Sequence, residues 1–550
     1  MKRLCDLALL AALLGLAVSG CTKSSTDNKT EAMTVLVEGS PIHGANGIIF
    51  DSEDRLLIAS VFGREIVVMD RENGSILARL GPELGIEGPE DLALGPEGSL
   101  YWTSVVTGEV GRLSPDSVKK SQKLATGVNP ITFSGDGRLF AALDFSGDAL
   151  YELDPELDNP PRLIAENLGW LNGMDWGPDG FLYGPVWSPG QVVRIDVDKG
   201  RITPVAEGFV NPSAVKFDSH GRLYMVTSLT GEILQVDTET GGKKLLAQVV
   251  PGLDNLAFDS QDGLFVSHSQ DGSIFEVLPS GIKRTVSRGG MIVPGGVAVL
   301  PRPGGESVFV ADLWTLREFN GLTGKERSVT RNKVNSGLPG ITTPQTVSPD
   351  GSRLVLSSWL SGEVQVWNPE TFEVVEDYRD FAMPLNAIRF QGDLIVAELG
   401  TSSVVRASAA EPEDRVTLAA GLDIPVGLAA TDDGLWVSEW GSGTVLQIVS
   451  GGKRLAEPVP VAKNLVFPEG LAVAQDGSLL VVETGTRRLL RIDTETGEIS
   501  TVADKLDLGA QAIPGTPPTW IFNGVAVGRS GAIYVTGDIA NVLYRLVLRI

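Results

Sequence analysis

Carboxylate and amide side chains return at one position of a repeat that runs through this chain with a period of about 42 residues. The twelve occupants of that position are Asn46, Glu90, Asn129, Asn172, Ser213, Asp254, Gly295, Thr343, Asn386, Val426, Glu469 and Asn523. Side-chain oxygens of this kind suit Ca²⁺, Mg²⁺ or Mn²⁺ rather than a thiolate-seeking metal. Alternatively, Asn and Asp at such points cap turns through their own side chains. The position therefore indicates either cation ligands or turn caps.

A second position, later in each unit, is acidic mainly in the second half of the chain. Its occupants there are Asp312, Ser357, Glu398, Glu439, Glu483 and Gly537, against Ser60, Ser104, Leu143, Val186, Thr227 and His268 in the first half. Like charges that lie close together must be hydrated, share protons or bind a cation. We therefore expect a ligand site formed by Asp312, Asn386, Glu398, Glu439, Glu469, Glu483 and Asn523.

Three tryptophans support that expectation, because Trp314, Trp359 and Trp440 follow the acidic position and could form the floor of a sugar or cation site. The alternative is that the acidic residues bond to neighbouring loops and that the tryptophans serve packing. Other catalytic signatures are missing from the sequence, which has no Gly-x-Ser-x-Gly turn, phosphate loop or His-Glu-x-x-His motif. Catalytic residues are therefore unassigned, with Glu90 and Asp254 as candidates.

The elements that must position these residues are short strands. The clearest unit, residues 468–497, alternates apolar residues with Asp-Gly and Thr-Gly turns. Each unit is predicted to be a four-stranded blade with inner strand A, then B, C and outer strand D. Strand A runs from one face of the propeller to the other and B returns, so the start of A and the end of B open on one face. The two polar positions then form concentric rings around a channel mouth.

Twelve blades favour an all-β fold of two tandem six-bladed β-propellers, since propellers typically have about 4–8 blades. The last unit lacks a D strand, whereas residues 33–37 form a lone strand before the first unit. We expect residues 33–37 to complete the sixth blade and residues 282–287 to complete the twelfth, which would pair both open edges. The propellers would then span residues 33–280 and 281–550. A twelve-bladed ring and a seven-plus-five split stay open.

The first residues resemble a bacterial lipoprotein signal, with Lys2 and Arg3, an apolar stretch at residues 7–18, and Val-Ser-Gly before Cys21. We expect residues 1–20 to be removed, Cys21 to carry a lipid, and residues 21–32 to form a flexible tether. An ordinary secretory signal is the alternative. The prediction is a protein of the cell envelope, on the outer membrane facing the periplasm or at the cell surface, which contacts membrane only through the lipid.

The formal charge of −24 argues against nucleic acid as a partner, because the protein and the nucleic acid are both negatively charged and would repel each other. A small molecule or a protein is the expected ligand, and a monomer the expected state. The favoured function is ligand or protein binding at the channel mouths. The alternatives are a metal-dependent lactonase and a purely structural scaffold of the envelope.

The unit at residues 468–497 resembles an NHL repeat, with its Pro-x-Gly-Leu-Ala opening, Asp-Gly turn and Arg-Ile-Asp closing strand. With six blades the pattern is similar to the gluconolactonase/regucalcin (SMP-30) family, and more distantly to strictosidine-synthase-like propellers. The resemblance covers residues 40–550, both halves of the chain, and implies a fold more than an activity.

The gluconolactonase resemblance also implies a metal site, because that family holds a divalent ion at the channel mouth with a Glu, two Asn and an Asp. By motif position these are Glu90, Asn129, Asn172 and Asp254. This chain departs from the family, since Glu90 and Asn129 are on neighbouring blades and Asp254 is one blade further round. In a lactonase the metal would polarise the carbonyl group and a ring carboxylate would activate water.

Overall fold

The computed structural model describes residues 30–332, 340–411, 413–519 and 522–548. Within these ranges the chain forms forty-eight strands in twelve four-stranded antiparallel sheets, and no α-helix. Short 3₁₀ turns lie at Pro82–Leu84 and Thr484–Thr486. Two tandem six-bladed β-propellers are therefore confirmed.

The first propeller contains six consecutive sheets. In chain order its strands are β2 Ile48–Phe50, β3 Arg55–Ser60, β4 Glu65–Asp70, β5 Ile76–Leu80; β6 Pro89–Leu94, β7 Leu100–Ser104, β8 Glu109–Leu113, β9 Lys119–Lys123; β10 Val128–Phe133, β11 Leu139–Leu143, β12 Ala149–Leu153, β13 Arg162–Glu166; β14 Asp175–Trp176, β15 Leu182–Val186, β16 Gln191–Asp196, β17 Arg201–Glu207; β18 Pro212–Phe217, β19 Leu223–Thr227, β20 Glu232–Val236, β21 Lys243–Gln248; β22 Leu253–Phe258, β23 Leu264–His268, β24 Ile274–Val277, β25 Lys283–Ser287. The ring closes where β2 packs against β22.

The second propeller contains the remaining sheets and the first described strand, β1 Thr30–Glu38. Its other strands are β26 Val297–Arg302, β27 Gly305–Asp312, β28 Thr315–Asn320, β29 Glu326–Arg331; β30 Thr346–Asp350, β31 Arg353–Ser358, β32 Glu363–Asn368, β33 Glu373–Tyr378; β34 Pro384–Phe390, β35 Asp393–Glu398, β36 Ser403–Ala407, β37 Arg415–Ala420; β38 Pro425–Ala430, β39 Leu435–Glu439, β40 Thr444–Ser450, β41 Lys453–Ala462; β42 Pro468–Val473, β43 Leu479–Glu483, β44 Arg488–Ile492, β45 Ile499–Ala503; β46 Val525–Val527, β47 Ile533–Gly537, β48 Val542–Leu548. The ring closes where β26 packs against β46 and β47.

The expected closing strands are exchanged. Strand β1 pairs with β48, for example Met33 with Leu546, and so completes the twelfth blade rather than the sixth. Strand β25 completes the sixth blade by pairing with β24, with Lys283 opposite Val277. The sequence showed two strand-like segments but not the edges they join. A short hairpin loop costs less closure entropy than a long connection, so β25 joins its own neighbour and β1 is left for the open edge.

This pairing changes the expected domain limits, because residues 30–38 belong to the second propeller and the first propeller extends to Ser287. Strand β1 also begins inside the expected tether of residues 21–32. The signal segment, Cys21 and most of that tether lie outside the described residues. Within the described ranges, no helix has the length and apolar character needed to cross a bilayer.

The blades are held together by apolar residues on both faces of their inner strands. Strand β11 is buried along its whole length, because one side of it packs on the preceding blade and the other on the following one. Aromatic pairs join neighbouring blades, as where Tyr101 meets the ring of Phe133 edge-on at 5.0 Å. Burial on two faces explains why the B strands are apolar runs, whereas the outer D strands are largely exposed.

The mouths of the two propellers contact each other, the mouth being the face on which A strands begin and B strands end. Val61 of the first propeller packs with Ile292, Leu313 and Ile513 of the second. The rings of Phe62 and Trp314 lie 6.2 Å apart at the same contact. Val61 and Leu313 directly follow the ring positions Ser60 and Asp312, and Ile513 lies in the long loop between β45 and β46. The two mouths are therefore neighbours along one edge.

Candidate functional site

The first mouth is built by the starts of the A strands. Register irregularities occur there between Pro89 and Leu92, between Val128 and Ile131, and between Leu253 and Leu256. A bulge of this type re-aims a side chain at the end of a strand. These irregularities lie at the ring positions Glu90, Asn129 and Asp254. The repeated placement of polar residues thus has a backbone cause as well as a sequence pattern.

Two side-chain hydrogen bonds join neighbouring ring positions, and one of them links the predicted ligands Asn129 and Asn172. Asn46 donates from Nδ2 to Oε1 of Glu90 at 3.2 Å. Asn129 donates from Nδ2 to Oδ1 of Asn172 at 3.1 Å. Asn46, Glu90, Asn129 and Asn172 are all buried, and Asp254 is partly exposed. Glu90 is therefore bonded to the preceding blade and Asn129 to the following one.

Asp144 belongs to this ring and was missed from the sequence. Its Oδ2 accepts from Nδ2 of Asn129 at 2.9 Å, and the side chain is buried. The repeat pattern places Leu143 at the ring. Because side chains alternate along a strand, the residue that reaches the channel is the one just after β11. The sequence does contain an acidic residue directly after the apolar strand, one residue beyond the position that was expected to face the channel.

The carboxyl groups of the ring are held in an environment that disfavours their charge. Burial raises the pKa of Glu90 well above its usual value, and the charges of Asp254, Asp144 and Asp91 raise it further. Burial likewise raises the pKa of Asp144 well above its usual value. The pKa of Asp254 is raised to about 7 by burial and by the charge of Asp91. A cation would relieve this crowding.

Two buried oxygens of the ring have no hydrogen-bond partner, Oδ1 of Asn46 and Oδ1 of Asp144. Buried polar atoms are normally satisfied, so such atoms indicate a ligand, an ion or a water molecule. The donor set consists of carboxylate and amide oxygens, which fits Ca²⁺, Mg²⁺ or Mn²⁺. The residues present therefore fit the cation that the gluconolactonase resemblance implies.

The three carboxylates of the ring are not all close enough for one ion to touch each of them. Among the described residues, the group of three acidic or imidazole ligands whose atoms lie within 4.8 Å of one another is Asp218, His220 and Asp262. That group lies where the turn between β18 and β19 meets the turn between β22 and β23, and there Asp218 pairs with Arg222 and Asp262 accepts from Ser219. An ion at the mouth would therefore combine one or two carboxylates with amide oxygens and water.

A pocket of 620 Å³ opens directly beside Asp144. Its wall includes Phe145 and Trp187, whose rings meet edge-on at 5.6 Å, and Trp170 from the next loop. Phe145 and Trp170 are 48% and 44% exposed, so large apolar rings face solvent there. The indole nitrogen of Trp187 is buried and has no partner. The pocket therefore has apolar faces and an acidic end.

The loop that carries Trp170 is held in place by Asp148. The carboxylate of Asp148 accepts from the backbone nitrogens of Gly169 and Trp170 at 2.7 and 3.1 Å. Trp170 has a φ of 66°, a left-handed conformation that is costly for a side chain of its size. Strain of this kind persists where surrounding contacts impose it, and it is common at ligand sites. Trp170 is thus preset at the edge of the pocket.

His268 contacts an acidic residue of its own turn. It is fully buried, and its Nδ1 lies 3.0 Å from Oδ1 of Asp271 in the next turn. Burial raises the pKa of Asp271, but the charge and hydrogen bond of His268 outweigh burial, so that the pKa is lowered overall. The pair stabilises the loop after β23. The ionisable groups that face the channel are the carboxylates of the ring.

At the second mouth, the four acidic strand ends are engaged within their own blades. One oxygen of each accepts a backbone N–H from the loop that leads into the A strand: Val293 to Asp312 at 2.7 Å, Ala382 to Glu398 at 2.9 Å, Asp423 to Glu439 at 2.9 Å and Val466 to Glu483 at 2.9 Å. The other oxygen accepts from Arg317, Thr401, Ser442 and Arg488, respectively. These carboxylates thus act as loop braces, which was the alternative reading of the acidic position.

The centre of the second mouth is apolar. Leu385, Val426 and Phe522 form a buried cluster there, with Trp359 and Trp440 packed against it. The ring of Trp440 also stacks on Phe467 at 4.1 Å. The tryptophans expected to form a ligand floor therefore pack against neighbouring apolar side chains.

The remaining polar residues of the second mouth are Asn386, Glu469 and Asn523. The side-chain oxygen of Asn386 accepts from the backbone nitrogen of Ala387 at 2.8 Å, as a turn cap does. Asn523 donates from Nδ2 to Oε2 of Glu469 at 3.1 Å. Burial raises the pKa of Glu469 to about 8, helped by the charge of Asp538. Asp538 was again one residue beyond the expected ring position, Gly537.

Comparison with known proteins agrees with this architecture. Residues 77–113 match the family described as strictosidine synthase-like, N-terminal, and this match covers most of β5 in the first blade and β6 to β8 in the second. No curated protein sequence matches the chain significantly.

Several solved structures are similar in part. A streptogramin B lyase is 16% identical over 55% of this chain and 98% of its own, with a TM-score of 0.38. A gluconolactonase from Xanthomonas campestris is 16% identical over 43% of this chain and 86% of its own, with a TM-score of 0.35. The extracellular domain of a proposed one component system from B. thetaiotaomicron is 11% identical over 94% of this chain and 83% of its own, with a TM-score of 0.33. The expected resemblance to a β-propeller family of this kind is confirmed, and at these identities it concerns the fold alone.

Proposed function

We propose that the protein is an extracytoplasmic binding protein that takes a small cyclic polar ligand, together with a divalent cation, at the mouth of the first propeller. The observation that carries this proposal is the aromatic pocket of 620 Å³ beside Asp144, whose Oδ1 is buried and unpartnered. A ligand with one apolar face and hydroxyl or carbonyl groups along its edge fits both parts of the pocket.

The aromatic wall supplies most of the contact area in this proposal. Rings that are partly exposed lose water contact when a flat ligand lies on them, which favours binding by roughly 25 cal/mol per Å² of apolar surface buried. Asp148 holds the backbone of Trp170, so little backbone freedom of this loop is lost on binding. The unpartnered indole nitrogen of Trp187 offers a hydrogen-bond donor.

The cation would be held by oxygens of Glu90, Asn46 and Asp144, with Asp254 nearby across the channel. It would neutralise charges that burial and mutual repulsion now disfavour. It would also offer a Lewis-acid contact to a carbonyl or hydroxyl oxygen of the ligand. The location outside the cytoplasm rests on the lipoprotein-like signal around Cys21.

The test is calorimetric titration of the full chain with Ca²⁺, Mg²⁺ and Mn²⁺, followed by a panel of monosaccharides and sugar lactones. Asp144→Asn should weaken binding of both cation and sugar at least tenfold, and Trp170→Ala should weaken the sugar alone. Phe372→Ala is the matched control, because Phe372 is an exposed aromatic residue on the other propeller. A panel that binds wild type and Trp170→Ala equally would contradict the proposal.

A metal-dependent lactonase is the second candidate, and one observation favours it. The pKa of Asp254 is raised to about 7, so this carboxyl group could accept a proton from water near neutral pH. Hydrolysis of a lactone in the panel that is lost with chelator and with Asp254→Asn would establish catalysis. Binding of a lactone without hydrolysis would instead support the proposed binding protein.

A further inference from the structure

We infer that the second propeller has a docking surface for a protein partner, formed by an apolar arc at the mouth side of its ninth, tenth and eleventh blades. The arc consists of Met383, Ile424 and Phe467, which directly precede the A strands β34, β38 and β42, and of Leu399 and Trp440, which directly follow the B strands β35 and β39. It is separate from the pocket of the first propeller, and the inference does not depend on ligand binding there.

The three residues that precede the A strands have a left-handed backbone. The φ angles of Met383, Ile424 and Phe467 are 57°, 58° and 55°. Residues with a side chain disfavour this conformation, and for a β-branched residue such as Ile424 it is a rare outlier. At the same position of the first propeller, Gly88 and Gly127 have φ angles of 55° and 91°, which glycine adopts without steric cost. The second propeller therefore has bulky apolar side chains where the backbone favours glycine.

The loop braces of the second mouth impose this conformation. At the tenth blade, Glu439 accepts the backbone N–H of Asp423 at 2.9 Å, and the carbonyl oxygen of Ile424 accepts from the backbone nitrogen of Trp440 at 2.9 Å. The equivalent carbonyl oxygens of the ninth and eleventh blades accept from the residues that follow β35 and β43, both at 3.1 Å. Backbone strain that neighbouring contacts impose is common at ligand clamps. The acidic strand ends therefore fix the side chains of the arc.

The arc is partly exposed to solvent and has a polar border. Phe467 is 41% exposed although its ring stacks on Trp440 at 4.1 Å, and the neighbouring Val466 is 40% exposed. The turns between the B and C strands add the exposed hydroxyl residues Thr401 and Ser442. An apolar centre rich in aromatic residues and Met, with a polar rim, is typical of a protein interface.

The covered side of the same mouth shows which kind of surface fits it. Leu313 and Trp314, which follow the B strand of the seventh blade, pack against Val61 and Phe62 of the first propeller. Trp359 of the eighth blade packs against both this contact and the buried cluster of the second mouth. The apolar surface is therefore continuous from the contact between the propellers into the arc. A protein loop with Val and Phe side chains already covers one end of it, and a similar loop of a partner fits the other.

The partner is a different protein rather than a second copy of this chain. Each copy carries a formal charge of −24, so two copies repel each other. A small molecule is a poorer match, because small ligands bind in concave sites that bury most of their surface. The arc instead spreads over three successive blades of the ring.

The test is selection of a phage-displayed library of random dodecapeptides on the immobilised full chain, followed by fluorescence anisotropy with the selected peptides. We expect peptides rich in Val, Phe and other apolar residues. Ile424→Ser with Phe467→Ser should weaken their binding by about tenfold or more. Leu77→Ser with Val118→Ser is the matched control, because both residues are exposed apolar residues on outer strands of the first propeller, and it should leave binding unchanged.

Three outcomes would contradict the inference. The first is a library that yields no binder, or peptides that the Ile424 and Phe467 variant still binds. The second is peptide binding that is lost with Trp170→Ala, which would assign it to the first propeller. The third is concentration-dependent dimerisation in size-exclusion chromatography that the Ile424 and Phe467 variant abolishes, which would assign the arc to a second copy.

Glycine variants separate a binding role from a packing role. Met383→Gly removes a strained side chain, so we expect its melting temperature to rise above that of the wild type while the affinity for the peptides falls. Gly88→Met is the reverse exchange at the same position, where an added Cβ would lie 3.4 Å from the nearest atom, in Ile513. It should lower the melting temperature. A fall in the melting temperature of Met383→Gly would show that this side chain serves packing, and would argue against a docking surface.

Discussion

The ring nitrogen Nε2 of His43 lies 2.9 Å from the backbone oxygen of Asp538. His43 precedes the first blade of the first propeller, and Asp538 ends the B strand of the last blade of the second. Burial lowers the pKa of His43, so the ring is neutral and can donate one hydrogen bond. This contact joins the last blade of the second propeller to the segment that leads into the first.

The first prediction concerns that contact. His43→Ala removes the donor and leaves the buried oxygen of Asp538 unsatisfied, which should cost about 1–3 kcal/mol of unfolding free energy. Because the loss falls on the contact between propellers, denaturant unfolding should separate into two steps. His220→Ala is the control, since its side chain is 66% exposed. Equal effects of the two variants would show that the contact contributes nothing.

The second prediction concerns pH. Asp254 and Glu469 have pKa values raised to about 7 and about 8 by burial first and by neighbouring carboxylates second. A carboxyl group whose pKa is higher folded than unfolded binds its proton more tightly in the folded state. Its contribution to the unfolding free energy is therefore complete below about pH 4 and is lost as the pH rises through the pKa of the folded state. In chelator, the melting temperature should fall between pH 5 and pH 8.

Divalent cation should oppose this fall. Cations and protons compete for the same oxygens, so the stabilisation by Ca²⁺ should be larger at pH 8 than at pH 5. Melting curves at both pH values, with chelator and with Ca²⁺, measure the difference. Stabilisation that is equal at the two pH values would argue against carboxylate ligands.

The third prediction concerns the exchanged closing strands. A fragment of residues 39–290 contains every strand of the first propeller and should fold alone. A fragment of residues 33–280 has lost β25, which leaves the sixth blade with an unpaired edge, and should aggregate or melt at a lower temperature. Circular dichroism and size-exclusion chromatography distinguish them. The reverse result would support the pairing expected from the sequence.

The fourth prediction concerns the loop braces. Glu483→Gln keeps an oxygen for the backbone nitrogen of Val466 but loses the charge that pairs with Arg488 at 2.6 Å. We expect a loss of about 1–2 kcal/mol in stability and no change in cation or sugar binding. Reduced ligand affinity in this variant would restore the acidic strand ends as ligand residues.

The fifth prediction concerns the N-terminus, which lies outside the described residues. Cys21→Ser should abolish labelling of the protein with a radioactive fatty acid in bacteria and leave the signal segment uncleaved. Lipid labelling that persists in Cys21→Ser would disprove the lipoprotein interpretation.

The fold could be predicted from the sequence because every unit repeats the same turns and the same alternation of apolar and polar residues. The unit of residues 468–497 is predicted to form strands of one blade, and the structure has β42, β43 and β44 there. The strands that pair with the two open edges could not be predicted from the sequence, because pairing depends on which edges meet in space. Residues 33–37 have the same apolar alternation whichever sheet they join.

Only part of the candidate site could be predicted from the sequence. Glu90 and Asn129 were found because they occupy a repeated position, and a repeat makes any polar exception visible. Asp144 and Asp538 were missed because each directly follows its B strand, one residue beyond the position that the repeat aligns, and side chains alternate along a strand. The contact between the two mouths, such as Phe62 with Trp314, was also missed, since it depends on the relative placement of two separate rings.

The pairing of β1 with β48 fixes the order in which the molecule can be completed. During synthesis β1 emerges before any other described strand, yet its partner is the last of them. The first propeller can close as soon as β25 is made, while β1 waits beside it without a partner. Pairings between distant parts of a chain form slowly, and a waiting strand edge is open to wrong partners. The second ring is thus assembled around a finished neighbour, and its last step joins the two ends of the described chain.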